Sequence, residues 1–357
     1  MEKNFFMNQI KIGNRSIGDG NKIFFIAEAG VNHNGSVKIG KQLIDAASEA
    51  GADAVKFQTF LAEEIIIPKG PKAKYHLETT GSNKALSWFD LLKSQEISRE
   101  MHMELIKHCK KKKITFMSTP YDKKSADLLS KMKIKAFKIA STDNDNYPFV
   151  EYLIKKNKPL ILSTAMSSFE DVKYNFSLFK KNKFKKFAFL QCTANYPSSS
   201  IDANLKVIKL YKEKFKCPVG LSDHTMNNVS ALTSVGLGAN IIEKHFTISK
   251  KLFGPDHRMS LSPNELFQSI REVREAENSL GKKIKYILPS EKQNKKKLKK
   301  SIVTISNILK GEKLSINNIS FKRPATGIRP RYLNKVLGKR VKKNLPKNTI
   351  LKFSLLK

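Results

Sequence analysis

Eight short apolar runs alternate with longer amphipathic segments between about residues 22 and 281. The runs are rich in β-branched and aromatic residues and end in polar ones, which is typical of parallel strands buried on both faces. In chain order they are KIFFIAEAG, AVKFQTF, ITFMSTP, AFKIAS, PLILSTA, FAFLQCTA, PVGLSDH and NIIEKHFT. This alternation predicts an α/β chain that forms a TIM (β/α)8 barrel over residues 1–281.

The segments between the runs carry apolar residues at helical spacing, as around Leu43 and Ile270. The second of these segments opens with Ser262, Pro263 and, three residues after the serine, Glu265. A capping box with proline at the first helical position predicts that a helix starts there.

Three segments depart from the alternation. Residues 61–97 form a long insertion after the second strand, which we expect to be a loop that shapes a binding site. Residues 282–300 are polar and lysine-rich, which predicts a linker. Residues 301–357 carry short strand and turn signals, which predict a small β-rich domain with too few residues to bury its own core well.

In a TIM barrel the active site is built at the carboxyl ends of the strands. The polar residues that end the eight runs therefore form a predicted set of site residues. Two histidines, carboxylates, lysines and hydroxyls make up the set, a mixture that a packed core would not contain. Its members are Glu28, Lys56, Gln58, Ser118, Thr119, Lys138, Ser141, Ser163, Thr164, Thr193, Asp223, His224, Glu243, Lys244 and His245.

The two histidines end the seventh and eighth runs, and each lies beside a carboxylate. A single buried histidine is more often a hydrogen-bonded core residue than a ligand. Neighbouring strand ends, however, bring His224 and His245 together, and imidazole suits a divalent transition metal. The pair therefore predicts a metal site.

We expect Lys56 and Lys138 to lie at neighbouring strand ends, together with Thr119, Ser141 and Ser163. Ammonium groups and hydroxyls together suit a phosphate or a carboxylate. The alternative is that the two lysines extend to solvent.

Glu28 precedes a glycine-rich turn in AEAGVNHNG, where the backbone can approach a ligand closely. Two interpretations of Glu28 remain open. It is either a general acid or base, or a structural partner of a lysine.

The formal net charge is +36, but lysine is spread along nearly the whole chain. This distribution favours a solvated surface over a nucleic-acid interface, and it can also concentrate anionic substrates near the protein.

Cys109, Cys192 and Cys217 have neither disulfide nor zinc spacing, so we expect core thiols. Neither an export signal nor a membrane-spanning apolar stretch is evident, so we expect a cytoplasmic protein without membrane or nucleic-acid partners.

Ten short motifs occur in order along nearly the whole chain: AEAGVNHNG, DAVKFQTF, STPYD, KIAS, ILSTAM, QCTANYP, VGLSDHT, IEKHFT, GPDHR and KRPATGIRP. Together they closely resemble the sialic acid synthases, including the N-acetylneuraminate and legionaminic acid synthases. The resemblance extends to the antifreeze-like (SAF) domain that follows the barrel in that family.

The resemblance implies that phosphoenolpyruvate condenses with an open-chain N-acetylated amino sugar to give a nine-carbon acid and phosphate. C3 of phosphoenolpyruvate would attack the aldehyde, water would add at C2, and phosphate would leave by C–O cleavage. His224 and His245 would hold Mn²⁺ or Mg²⁺. The residues implied to hold phosphoenolpyruvate are Lys56, Lys138, Thr119, Ser141, Ser163 and Ser222.

The resemblance also implies roles for residues around the sugar. Glu28 is the acid/base candidate, and Tyr196 contacts the sugar. Arg323 of the SAF domain would reach the N-acetyl group held by a partner subunit, which implies a domain-swapped homodimer. The residues implied to support the metal, the water and the sugar are Glu243, Asp256 and Gln58.

Two positions differ from the pattern of the family. Many members carry Ser-Gly-Glu after the fourth strand, where this chain has Ser141, Thr142 and Asp143, so a catalytic role for the shorter acid is in doubt. Ala194 stands where some members carry a polar ligand contact.

Other functions remain as alternatives. A Schiff-base aldolase would use Lys56 or Lys138 as its nucleophile, but it needs no histidine pair. An anionic-polymer binder would use the basic segment KRPATGIRPRY. An ice-binding role disagrees with the many charges of the C-terminal segment. The acceptor sugar stays open, although the turn at 326–328 is more like the neuraminate and legionaminate branch.

Overall fold

The computed structural model describes residues 9–72, 74–80 and 87–357. The chain divides into two compact units, Met1–Gly281 and Lys282–Lys357. Within the described residues, no helix is long and apolar enough to cross a membrane.

The first unit begins with an antiparallel hairpin and continues into a closed barrel of eight parallel strands. The hairpin strands are β1 (Gln9–Ile12) and β2 (Arg15–Gly18). The barrel strands are β3 (Phe24–Gly30), β4 (Ala54–Thr59), β5 (Thr115–Pro120), β6 (Phe137–Ile139), β7 (Leu160–Ser163), β8 (Phe187–Cys192), β9 (Val219–Asp223) and β10 (Ile241–His245). They pair in chain order and β10 closes on β3, so the predicted TIM barrel is confirmed.

Helices surround the barrel and cover the outward faces of its strands with apolar side chains. The predicted capping box is confirmed: the Ser262 hydroxyl accepts from the backbone N–H of Glu265 at the start of the last barrel helix. The helices of this unit are α1 (Val37–Glu49), α2 (Ala62–Ile65), α3 (Lys74–Thr80), α4 (Trp88–Ser94), α5 (Arg99–Lys112), α6 (Lys123–Lys131), α7 (Tyr147–Lys155), α8 (Phe169–Lys181), α9 (Lys206–Phe215), α10 (Val229–Gly236) and α11 (Pro263–Leu280).

The β1–β2 hairpin was not predicted from the sequence. Its buried Ile10, Ile12 and Ile17 join the apolar cluster inside the barrel, which includes Phe24 and Met117. Two strands of four residues give a weak periodic signal, and only the barrel supplies the surface that buries them.

The expectation of a loop over residues 61–97 is wrong in its local structure, because helices α2, α3 and α4 all lie within it. A capping box at Ser87 and Asp90 starts α4. Residues 73 and 81–86 of the insertion lie outside the described part of the chain.

The second unit contains α12 (Lys292–Leu298) and an antiparallel pair of strands, β11 (Ser301–Thr304) and β12 (Ile319–Lys322). Side chains of residues 282–300 are exposed. The expectation that this small domain buries its core poorly is wrong. Ten apolar residues form a buried cluster of their own: Ile302, Ile308, Leu314, Ile319, Ile328, Val336, Val341, Leu345, Leu351 and Leu356.

Candidate active site

A cavity of about 880 Å³ opens at the carboxyl ends of the barrel strands. Five of the predicted strand-end residues do not line it: Ser118, Thr164, Thr193, Asp223 and Lys244. All of these except Thr193 occupy positions that alternate with lining residues along the chain. Thirteen predicted residues do line the cavity, although they come from segments spread over more than two hundred positions of sequence. They are Glu28, Lys56, Gln58, Thr119, Lys138, Ser141, Ser163, Tyr196, Ser222, His224, Glu243, His245 and Asp256.

The alternation of side chains along a strand explains why these residues meet. Ile26, Ala54 and Ile241 lie in the apolar cluster inside the barrel. The residues two positions further along the same strands point the same way and are polar. The barrel interior is therefore apolar around Ile26, Ala54 and Ile241, and it is charged at its mouth, where Glu28, Lys56 and Glu243 lie.

Lys56 lies at the centre of the charged group. Its Nζ is 2.7 Å from Oε2 of Glu28 and 3.8 Å from Oε1 of Glu243. It also donates to the hydroxyl of Thr119 at 3.0 Å. The Lys56–Glu28 contact is the ion pair named above as the structural alternative for Glu28, and it places the carboxyl in the cavity as well.

Lys138 lies on β6, which β5 separates from β4, so the expectation that Lys56 and Lys138 end neighbouring strands is wrong. Glu243 links them instead, since Nζ of Lys138 is also 3.8 Å from Oε1 of that carboxylate. Lys138 donates to the hydroxyl of Ser163 at 2.6 Å. Both lysines are only 3% exposed, so the alternative that they extend to solvent is wrong. Two ammonium groups and two hydroxyls thus converge on one buried region.

Burial and neighbouring charges shift the pKa values of these groups in different directions. Burial, reinforced by Glu243 and opposed by Lys56, raises the pKa of Glu28 to about 7. Burial also lowers the pKa of Lys138, and the adjacent Lys56 adds to that effect. Burial disfavours the charged forms of Lys56 and Glu243, but nearby opposite charges outweigh the effect of burial. Glu243 and Glu28 raise the pKa of Lys56. Lys138 and Lys56 lower the pKa of Glu243.

The two histidines lie side by side, with ring centroids 5.6 Å apart. Nδ1 of His224 donates to the carbonyl oxygen of Thr193 at 2.7 Å, which leaves the lone pair on Nε2. Nδ1 of His245 is buried and has no hydrogen-bond partner among the described residues. Burial lowers the pKa of His245 well below its usual value, which favours the neutral form that binds metals.

These two imidazoles fit an open metal site. No group of three or more His, Cys, Asp or Glu side chains in the described ranges is arranged to hold a metal ion. Asp256 lies beside the pair, with Oδ2 3.9 Å from Nδ1 of His245. A cation held by two imidazoles would keep several positions for water or substrate oxygens.

Aromatic and acidic groups complete this side of the cavity. The ring of Tyr196 stacks on His224 at 4.1 Å between centroids and meets His245 edge-on at 5.8 Å. Burial raises the pKa of Asp256 to about 6. Gly30 has a φ of 55°, and a Cβ there would lie 3.5 Å from Oδ2 of Asp256 and 3.4 Å from Nε2 of Gln58. The turn after β3 therefore packs closely against the site, as its glycine predicted.

The insertion after β4 forms one wall of the cavity. The sequence predicted that this segment shapes a binding site, but not which of its residues do so. The rings of His76 and Trp88 stack at 3.8 Å between centroids. Gln95 is 2% exposed, and its Oε1 has no hydrogen-bond partner among the described residues. The apolar members of this wall are Ile65, Ile66, Trp88 and Leu92, and they pack with Val31, Phe60 and Tyr121 from neighbouring segments.

Five further residues that the sequence singled out are the three cysteines, Asp143 and Arg323. Cys192 was expected in the core, but it lines the cavity, with Sγ 3.9 Å from Nδ1 of His224. Cys109 and Cys217 are buried in the core as expected. Asp143 is buried and accepts from the side-chain amide of Asn146 at 3.1 Å. Arg323 lies in the second unit, after β12, and is exposed.

Fold and site together define a barrel enzyme of the (β/α)8 class, with a buried lysine–hydroxyl cluster beside a histidine pair at the strand ends. Comparison with known proteins then places it. Residues 43–285 match the NeuB family and residues 299–357 match the SAF domain, so the chain belongs to the NeuB family of sialic acid synthases, as the motifs predicted.

The chain is similar to several synthases along most of its length. The chain is 40% identical to an N,N'-diacetyllegionaminic acid synthase of Campylobacter jejuni, over 93% of this chain and 99% of the relative. It is 37% identical to the N,N'-diacetyllegionaminic acid synthase of Legionella pneumophila, over 92% and 93%. A crystal structure of an N-acetylneuraminic acid synthetase from Leptospira borgpetersenii, in complex with citrate, superposes with a TM-score of 0.71 at 33% identity. That superposition covers 81% of this chain and 95% of the other.

Proposed function

We propose that the protein condenses phosphoenolpyruvate with an open-chain N-acetylated amino sugar and water, giving a sialic-acid-type nonulosonate and phosphate. The observation that carries this proposal is the meeting, in one cavity, of a lysine–hydroxyl cluster and a pair of imidazoles. The names of the two legionaminic acid synthases support the same class of reaction.

Phosphoenolpyruvate carries a phosphate and a carboxylate, and both need cationic or hydrogen-bonding partners. Lys56, Lys138 and the hydroxyls beside them offer these partners in a region that excludes most water. Burial strengthens each contact with an anion, because the effective dielectric constant is lower there. Ser141 and Ser222 extend this set toward the rim and toward Glu243 respectively.

The acceptor aldehyde would lie on the histidine side of the cavity. His224 and His245 would hold Mn²⁺ or Mg²⁺, which supplies Lewis-acid polarisation of a carbonyl when it is bound. Tyr196 offers an aromatic face to the sugar, and Gln58 and Asp256 offer hydrogen bonds.

Glu28 suits proton transfer in this reaction. A carboxyl with a pKa of about 7 can both release and accept a proton near neutral pH. As C3 of phosphoenolpyruvate bonds to the aldehyde carbon, the aldehyde oxygen gains a proton. Water then adds to C2 and the bond from C2 to the bridging oxygen breaks to release phosphate. The oxygen that came from water gives up both of its protons as it becomes the ketone carbonyl of the product. Glu28 and its partner Lys56 lie where these protons can be exchanged.

The wall built by the insertion supports a choice of acceptor. Apolar and aromatic residues dominate it, and its described lining includes Glu78 but neither lysine nor arginine. A phosphate at the far end of the sugar would meet no lysine or arginine among these described lining residues. A deoxy methyl group and an acetamido group suit it better, because the buried Gln95 amide can pair with an amide. We therefore favour a diacetamido-trideoxy hexose over N-acetylmannosamine or its 6-phosphate.

Phosphate release from phosphoenolpyruvate with the three acceptors tests both levels of the proposal. We expect release only when an acceptor is present, and the highest kcat/KM with the diacetamido sugar. Gln95→Leu should raise KM for that sugar by about tenfold to a hundredfold, the cost of an unpaired buried amide, and leave KM for phosphoenolpyruvate unchanged. A preference for the 6-phosphate would refute the choice of acceptor, and release with none of the three would refute the reaction.

One observation favours a second candidate, a Schiff-base aldolase. The lowered pKa of Lys138 is what a nucleophilic amine requires. Reduction with borohydride in the presence of pyruvate would label Lys138 in that case, and chelation with EDTA would leave activity intact. The condensation predicts the opposite result in both experiments.

We further propose that Arg323 acts in the site of a partner subunit. Its planar guanidinium presents several donors to a carbonyl oxygen and nearby hydroxyls. Arg323 is exposed, and it has no hydrogen bond or ion pair within the described part of the chain. Insertion of this arginine would complete the sugar site in a domain-swapped homodimer.

A further inference from the structure

A buried ion pair lies behind the two histidines, on the opposite face of the barrel wall. Asp223 and Lys244 are register partners on β9 and β10. Nζ of Lys244 is 2.6 Å from Oδ2 of Asp223, and their side chains are 2% and 1% exposed, for Lys244 and Asp223 respectively. Neither residue lines the cavity, since each occupies the alternate strand position beside a histidine.

The ammonium group of Lys244 uses all three of its hydrogens. Besides Asp223, it donates to the carbonyl oxygens of Thr225 and Asn227, each at 3.0 Å. The other carboxylate oxygen of Asp223 accepts from the backbone N–H of Thr225 at 2.9 Å. One buried cation therefore holds β10, the end of β9 and the turn that follows His224.

This turn is also bonded to the segment that carries Tyr196, whose ring contacts both histidines. The backbone N–H of Ser198 donates to the carbonyl oxygen of His224 at 3.0 Å, and Ser198 pairs with Thr225 in a parallel bridge. Tyr196, two residues before Ser198, stacks on the His224 ring. The contacts of Lys244 thus extend through the turn to both sides of His224.

A buried pair of this kind is weak evidence for stability, because apolar residues of similar volume often serve the fold as well. What such a pair does supply is one fixed arrangement of the elements it joins. From its place between the two histidine-bearing strand ends, we infer that the Asp223–Lys244 pair is a positioning element. It sets the separation and orientation of the His224 and His245 imidazoles for a divalent cation. This inference rests on the proposed metal site.

The test compares Mn²⁺ binding, measured by titration calorimetry without substrates, in the wild type and in the double variant Asp223→Asn/Lys244→Met. Asparagine keeps the acceptor for Thr225, and methionine fills the volume of the lysine stem while removing its charge. We expect the double variant to fold and to bind Mn²⁺ about tenfold to a hundredfold more weakly, the usual effect of altering groups that orient metal ligands.

Arg274→Met is the matched control. Arg274 pairs with Asp53 at 2.8 Å near the amino end of β4, at the opposite end of the barrel. Its loss should lower the melting temperature and leave Mn²⁺ affinity unchanged. Wild-type affinity in the double variant would overturn the inference, as would an equal loss of affinity in Arg274→Met.

A second readout separates this inference from the metal proposal. Histidine ¹⁵N–¹H correlation spectra of the metal-free protein report which ring nitrogen of His224 carries the proton. We expect Nδ1–H in the wild type and a mixture in the double variant. If the wild type binds no Mn²⁺, the metal proposal fails and this spectrum decides: a mixture supports the positioning role, and unchanged Nδ1–H overturns it.

Discussion

Replacement of Glu28 by glutamine tests the proton chemistry of the site most directly. Glutamine keeps the shape of the side chain and can still pair with Gln58, whose Nε2 is 3.2 Å from Oε1 of Glu28. It removes the titrating group. We expect kcat for phosphate release to fall by about two to four orders of magnitude, the usual range for loss of an acid or base.

The burial of Glu28 gives this prediction its pH dependence. With a pKa of about 7, about half of the Glu28 carboxyls hold a proton at pH 7. A carboxyl at the ordinary value of 4.5 would be protonated in only about 0.3% of molecules at that pH. The wild-type profile of kcat/KM should therefore bend near pH 7. Activity falls above that pH if the protonated acid is required and below it if the carboxylate is required.

Phosphate release measured from pH 5.5 to 9 in both proteins decides the matter, with the KM for phosphoenolpyruvate as the internal control. That KM should change little in Glu28→Gln, because the lysines and hydroxyls hold the substrate. A drop in kcat of two to four orders corresponds to about 3 to 5 kcal/mol of transition-state stabilisation. A near-normal kcat, or a bend near pH 7 that survives in the variant, would show that Glu28 is only the structural partner of Lys56.

Three further predictions follow from the described contacts. His224→Ala and His245→Ala should each lose Mn²⁺ binding and turnover, and full activity of either variant after exhaustive chelation would contradict the metal site. Burial lowers the pKa of His33 to about 4 and lowers that of His102, so the unfolded chain binds more protons between pH 6.5 and 4. Stability should consequently fall as pH falls through that window, by about 2.5 kcal/mol at pH 4.5 for His33 alone, and urea unfolding of His33→Gln should show a weaker dependence. Arg323→Ala and the inactive Glu28→Gln barrel variant should restore activity when their subunits exchange, since one of the two sites is then intact; proven exchange without activity would rule out action in trans.

Much of the site was visible in the sequence because β strands have a period of two. Once eight apolar runs predict a barrel, the polar residues at the ends of those runs must meet at one mouth. Lys56, Lys138 and His245 were found in this way, each from a single position in its own run. The order of the runs also fixes which strands are neighbours, so the histidine pair could be predicted before any distance was known.

The insertion and the hairpin show where this logic stops. Helices α2 and α4 have four and seven residues, too short for a clear helical period. The β1–β2 hairpin is buried only because the barrel interior receives its isoleucines. Neither feature is encoded by local propensity, and both depend on a surface supplied by distant parts of the chain.

The sequence by itself determined the barrel, the chemical types of its site residues and the end of the barrel at which they lie. Only the tertiary structure decided what those residues do to one another. Glu28 and Glu243 are separated by 215 positions, yet a carboxylate oxygen of each lies within 4 Å of Lys56 Nζ. A pKa depends on desolvation and on the charges nearby, and both are properties of the folded cavity rather than of a local segment. Lys244 is a further example. The sequence showed only a lysine at a strand end, whereas the fold shows that it is buried and links two strands that carry the histidines.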